Sequence, residues 1–143
     1  MNKNLEVNKT LKINAGIEKV WDAITDPEKI KIYFFGTEVV TDWKVGHPIV
    51  FQGEFDGKKY KDKGNILSVK PMNLIQYNYW SGFSGLEDNI ENYSIVTYHL
   101  REDQGHTILE LTQKGFANDQ ALEHAQNGWE MVLKGMKDLV EKG

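Results

Sequence analysis

The chain contains no cysteine. That excludes a disulfide framework, thiolate nucleophiles and thiolate-ligated zinc, and it suits a reducing compartment. Basic charge is not in excess. Lys and Arg number 17 against 21 Asp and Glu, for a net charge of −4, which counts against a nucleic-acid partner. No stretch approaches the ~20 apolar residues that cross a bilayer. The opening MNKNLEVNKTLKIN holds no apolar run that would serve as a signal peptide. The expectation is a cytoplasmic protein with no membrane span. Metal-binding spacings of the HxH, HExxH and D-x-D-x-D-G kinds are missing as well, so neither metal nor cofactor is predicted. No linker, repeat or low-complexity tract interrupts the 143 residues, which predicts a single domain over 1–143.

What is present alternates. From Leu5 to Ile13 the odd positions are apolar except Lys9, and none of the even ones is. This is the signature of a half-buried strand. Ile17, Val20, Trp21 and Ile24 then change to helical spacing. Asp26-Pro27-Glu28 restarts a helix, with Asp26 as cap and proline at the first turn, and Gly36 ends it. Between Glu38 and Gln113 turn signals recur at Asp42–Gly46, Asp56-Gly57, Lys70-Pro71, Ser81-Gly82 and Asp103–Gly105. They predict antiparallel strands near 38–42, 47–54, 59–69, 73–80, 91–101 and 105–113. Asn118 or Asp119 caps a long last helix. Its apolar stripe is Leu122, Ala125, Trp129, Val132, Leu133, Met136, Leu139 and Val140.

Strand pleat sorts the inward side chains. Ile49 and Phe51 share a face, as do Ile75, Tyr77 and Tyr79. So do Ser94, Val96, Tyr98 and Leu100, and Thr107, Leu109, Leu111 and Gln113. All must meet the one long helix. A sheet of six or seven strands at ~4.8 Å spacing is wider than a helix of ~10–12 Å. Large side chains fill the excess, or a cavity remains. Tyr33, Phe34, Phe35, Phe51, Tyr77, Tyr79, Trp80, Tyr98 and Trp129 suit either outcome.

The order β-α-α-β6-α, with several motifs in sequence, resembles the START-like, helix-grip superfamily of polyketide cyclases, dehydrases and lipid-transport proteins. Within it the chain is most similar to the activator of heat-shock protein 90 ATPase homologue family. The residues that carry the resemblance are Val20-Trp21, Asp26-Pro27-Glu28, Asp42 with Val45-Gly46, and Gly64–Pro71 leading into Leu74–Trp80. Ser94–Leu100, Gly105–Leu111 and Gly128-Trp129 complete it. The resemblance covers nearly the whole chain. It implies an α+β helix-grip fold, a curved antiparallel sheet wrapped around the C-terminal helix, with a cavity between them. One departure stands out: many members carry a histidine where this chain has Gln113.

Chemistry-bearing groups are few. His99 and His124 fall off the inward faces and His106 sits at a turn; His47, beside Pro48, is the one candidate for a pocket rim. Glu87, Asp88 and Glu91 read as a solvated acidic loop. The run Lys58–Lys63 reads as protection of an edge strand. The loop 81–92 is longer than a hairpin needs, and Phe83 and Leu86 between glycines suit a lid. The function expected is therefore binding of an apolar or aromatic small molecule. Its predicted ligand-binding residues are Tyr33, Phe34, Phe51, Tyr77, Tyr79, Ser94, Tyr98, Thr107, Gln113, Trp129, Leu133 and Met136, with no catalytic residue assigned. Two alternatives remain open: docking on a chaperone or other protein, and an enzyme of cyclase or dehydratase type in which a Tyr or Glu moves protons.

Overall fold

The structure is a computed structural model and describes residues 1–142. Strand β1 (Asn2–Ile13) leads into helices α1 (Ile17–Thr25) and α2 (Pro27–Tyr33). A meander follows: β2 (Glu38–Val40), β3 (Pro48–Phe55), β4 (Lys58–Lys70), β5 (Leu74–Tyr79), β6 (Ser94–Asp103) and β7 (His106–Phe116). Helix α3 (Asp119–Lys142) comes last. The strands form one seven-stranded sheet in the order β1-β7-β6-β5-β4-β3-β2, every neighbouring pair antiparallel. This is the α+β helix-grip fold that the strand pattern predicts.

Local chemistry accounts for the joints. Asp56-Gly57 and Gln104-Gly105 both take positive φ, and their flanking residues Phe55↔Lys58 and Asp103↔His106 pair directly. Each is a two-residue hairpin turn matched to strand twist. Asp26 accepts a hydrogen bond from the Glu28 amide (3.0 Å) and places Pro27 in the first turn of α2. Asn118, rather than Asp119, caps α3: its Oδ1 accepts from the Ala121 amide at 2.9 Å.

Three strand ends differ from expectation. β1 starts at Asn2 and β7 runs to Phe116, because these ends pair with each other across an irregularity between Asn2 and Glu6. Apolar alternation reports burial, and pairing continues where burial on one face has lapsed. β6 starts at Ser94 because Ile90–Asn92 form a single 3-10 turn, in which the Asn89 side chain accepts from the Glu91 amide. The lysine-bearing strand β4 is a correction. It lies inside the sheet between β3 and β5, and the edges are β1 and β2. Lys59, Lys61 and Lys63 are on the outer face while Asp62, Gly64 and Ile66 are buried.

The inward faces meet on α3. Val7, Ile13, Val20, Leu100, Leu109, Leu111 and Met136 have no measurable exposure. Helix α2 also rests on α3, at Gly135, where a Cβ would lie 3.1 Å from the Tyr33 Cβ. The absent side chain lets the two helices approach.

Candidate functional site

A cavity of about 610 Å³ lies between the first half of α3 and the strands facing it. Its helix wall is made of small residues, Ala121, Ala125 and Gly128, before the bulkier Trp129 and Val132. Its sheet wall comes from Phe51, Asp62, Tyr77, Tyr79, Ser94, Val96 and Gln113. Phe34 and Phe35 at the end of α2, with Phe83 and Leu86 from the β5–β6 loop, border it further. Phe35 and Gly36 both take left-handed backbone, and Phe35 is more than half exposed.

The sheet bends where this wall is built. At Gly64 a Cβ would fall 1.7 Å from the Asn78 carbonyl oxygen, so no other residue fits there. Asn78 Oδ1 accepts from the Asn65 amide at 2.7 Å, and the β4–β5 register shifts between Ile66 and Ser68. This close crossing curls β4 over β5, as bulges and strand glycines do.

Buried polar groups on the wall are joined in a row. Trp129 Nε1 donates to Gln113 Oε1 (2.7 Å), and Gln113 Nε2 donates to Ser94 Oγ (2.9 Å). Ser94 Oγ in turn donates to the Tyr79 carbonyl at 3.4 Å. Gln113 thus accepts from the indole through its carbonyl oxygen and donates to the hydroxyl through its amide nitrogen. Its amide has one further N–H beyond the bond to Ser94. Trp129 itself packs edge-on against Phe34 (5.8 Å) and Tyr98 (5.9 Å).

A second polar pair joins the predicted Tyr79 to Asp62, which was not among the predicted residues. The Tyr79 hydroxyl donates to Asp62 Oδ2. Asp62 is only 8% exposed and sits in the cavity wall. Burial, reinforced by the Asp62 charge, pushes the Tyr79 phenol well above its ordinary pKa, so it stays protonated and donates. The signal for Asp62 was parity: it is on the same pleat face as Gly64 and Ile66, but its lysine neighbours disguised the strand as a solvated edge.

Among the predicted residues, Phe34, Phe51, Tyr77, Tyr79, Ser94, Gln113 and Trp129 border the cavity. Tyr33 and Tyr98 line a separate hollow of about 20 Å³, with Phe34, Phe51 and Tyr77 common to both. Tyr33 donates to the Ala23 carbonyl at 2.9 Å, and burial pushes the phenols of Tyr33, Tyr77 and Tyr98 up. Thr107 lies at the other end of β7, where its hydroxyl donates to the Ala15 carbonyl (2.9 Å). Leu133 and Met136 are packed in the core further along α3. The stripe places them on the right face of the helix, but depth along the axis is not written in periodicity. His47 is exposed and lies 2.7 Å from Asp42 through Nδ1, away from the cavity, whereas exposed His124 is on its border.

The β5–β6 loop is tied down. Lys63 pairs with Asp88, Tyr93 donates to Asp88, and Trp80 Nε1 donates to the Leu86 carbonyl at 3.2 Å. Phe83, 70% exposed, lies between these anchors. Among the described residues no cluster of His, Asp or Glu is arranged to hold a metal, and no helix is long and apolar enough to cross a membrane.

Residues 14–141 match the family described as activator of Hsp90 ATPase homolog 1-like protein, and the chain belongs to that family. The solution structure of ChR145 from Cytophaga hutchinsonii is 41% identical, covering 99% of this chain and 97% of that one, with a TM-score of 0.83. CalU16 from Micromonospora echinospora shares the fold at 24% identity, 94% and 75% coverage and a TM-score of 0.76. So does the Aha1 dimer from Colwellia psychrerythraea, at 17% identity, 95% and 96% coverage and a TM-score of 0.73. No curated protein matches the chain.

Proposed function

We propose that this member of the family is a binding protein for an apolar or aromatic small molecule, taken up between α3 and the sheet. The observation that carries this reading is the cavity of about 610 Å³ walled by Phe34, Phe51, Tyr77, Tyr79 and Trp129. Its size falls within the roughly 300–1,000 Å³ of sites that enclose small molecules. Apolar area removed from water, at ~25 cal/mol/Å², drives the binding, and the Trp129–Gln113–Ser94 row keeps the wall rigid and preorganised. The pairing of Asp62 with a persistently protonated Tyr79 suits holding a ligand better than passing protons, because a phenol pushed upward is a poor base and a poorer acid. The lack of cysteine suits work in the cytoplasm.

A thermal-shift and calorimetric screen of neutral polycyclic aromatic compounds tests the proposal, with Ala125→Phe as the plugged variant. Ligand at a hundredfold its Kd is expected to add about 2.7 kcal/mol to stability, and the plugged variant is expected to lose the response. If no compound raises the melting temperature, or Ala125→Phe responds equally, the proposal fails. Docking on a chaperone, the alternative suggested by the family description, uses the outer surface and would survive the plug.

A further inference from the structure

We propose that the ligand carries a protonated amine and that Asp62 is the group that receives it. This rests on the cavity reading above and names the chemical class of its occupant. Asp62 is 92% buried by its 8% exposure, and it borders the cavity. Among the described residues its one hydrogen bond is that from Tyr79, to Oδ2, which leaves Oδ1 for a guest. The ion pairs of the described residues are Asp22–Lys29, Asp42–His47, Asp88–Lys63 and Glu141–Lys137; none includes Asp62. The adjacent lysines do not compensate for it. Lys61 and Lys63 are exposed and lie on the opposite pleat face, and Lys63 is engaged with Asp88 and the Trp80 ring.

A carboxylate in an apolar wall without a cation is costly unless something else supplies the charge. An ammonium group on the guest does so through a charge-assisted hydrogen bond, the stronger kind. The surrounding rings favour the same charge. Phe51 is paired directly opposite Asp62 in the β3–β4 register, 5.5 Å from Tyr79 and 5.4 Å from Tyr77 between ring centres. Ring faces attract cations. Anionic guests such as fatty acids meet the same carboxylate and are repelled.

The test is a matched series of one apolar body with three heads: naphthylethylamine, naphthylethanol and naphthylpropionate, titrated calorimetrically into the intact chain. The amine is expected to bind roughly tenfold tighter than the alcohol, and the propionate weakest. In Asp62→Asn the amine's advantage is expected to shrink to about threefold or less. Should that variant not fold, the side-chain carboxyl NMR signal of Asp62 in the unmutated chain reads the same contact. It shifts with amine and not with alcohol. Equal binding of amine and alcohol, or an advantage that survives Asp62→Asn, overturns the assignment while leaving the cavity reading intact. Failure of all three heads to bind overturns both.

Discussion

The two halves of α3 face the same sheet, yet they are packed differently. In the second half, Leu133, Met136 and Val140 belong to the same buried core as Val7, Leu109 and Leu111, and none of these six is more than 6% exposed. In the first half Leu122 packs against the core, but Ala121, Ala125 and Gly128 border the cavity, and about 610 Å³ stays open. Both halves carry the same helical period, so amphipathicity alone makes no distinction between them. Side-chain volume does. Trp129 marks the boundary, with its ring among Phe34 and Tyr98 and its N–H on Gln113.

That contrast breaks most directly with a truncation in the packed half. Met136→Ala removes a fully buried side chain and is expected to cost about 2–5 kcal/mol, since the neighbours relax only partly into the space. Urea denaturation measures it. A cost under about 1 kcal/mol would mean that this half is as loosely filled as the other. At the boundary, Trp129→Phe keeps an aromatic ring but strips Gln113 Oε1 of its donor. The expected loss is about 1–3 kcal/mol, that of a buried acceptor left unpaired. Gln113→Leu in the same background is then expected to recover part of it, because removing both partners costs less than removing one. If the double variant is no better than the single, the bond between them is not what holds the wall.

The comparison also explains what could be read in advance. Element order, the α+β class and the inward faces of β5, β6 and β7 follow from period and turn chemistry, because burial of one face imposes parity on a strand. Phe51, Tyr77, Tyr79 and Gln113 were therefore assignable inward from pattern alone. Depth along α3 was not. Thr107, Leu133 and Met136 share faces with the cavity residues but sit at the other end, and only the three-dimensional register separates them. Asp62 was hidden for a different reason. Lys58, Lys59, Lys61 and Lys63 surround it, and a strand with one charged face looks solvated on both until its neighbours are known. The close approach of Gly64 to the Asn78 backbone is likewise a long-range contact that no local motif announces.

The finest probe of the two halves is a pair of glycines seven residues apart on α3. A Cβ at Gly128 would meet nothing within 4 Å, whereas one at Gly135 would lie 3.1 Å from the Tyr33 Cβ. Replacing a helix-interior glycine by alanine favours the helix by about 0.8–1 kcal/mol through backbone entropy. At Gly128 nothing opposes that gain, so Gly128→Ala is expected to be stabilising by roughly 0.5–1 kcal/mol. At Gly135 helix α2 must give way, and overpacking of about 1 kcal/mol or more cancels the same gain. The difference between the two variants in urea midpoint, at constant m-value, is the measure. Equal gains would mean that α2 and α3 are not in tight contact. A loss at Gly128 would mean that the space beside it is already occupied, and the contrast between open and packed halves would go with it.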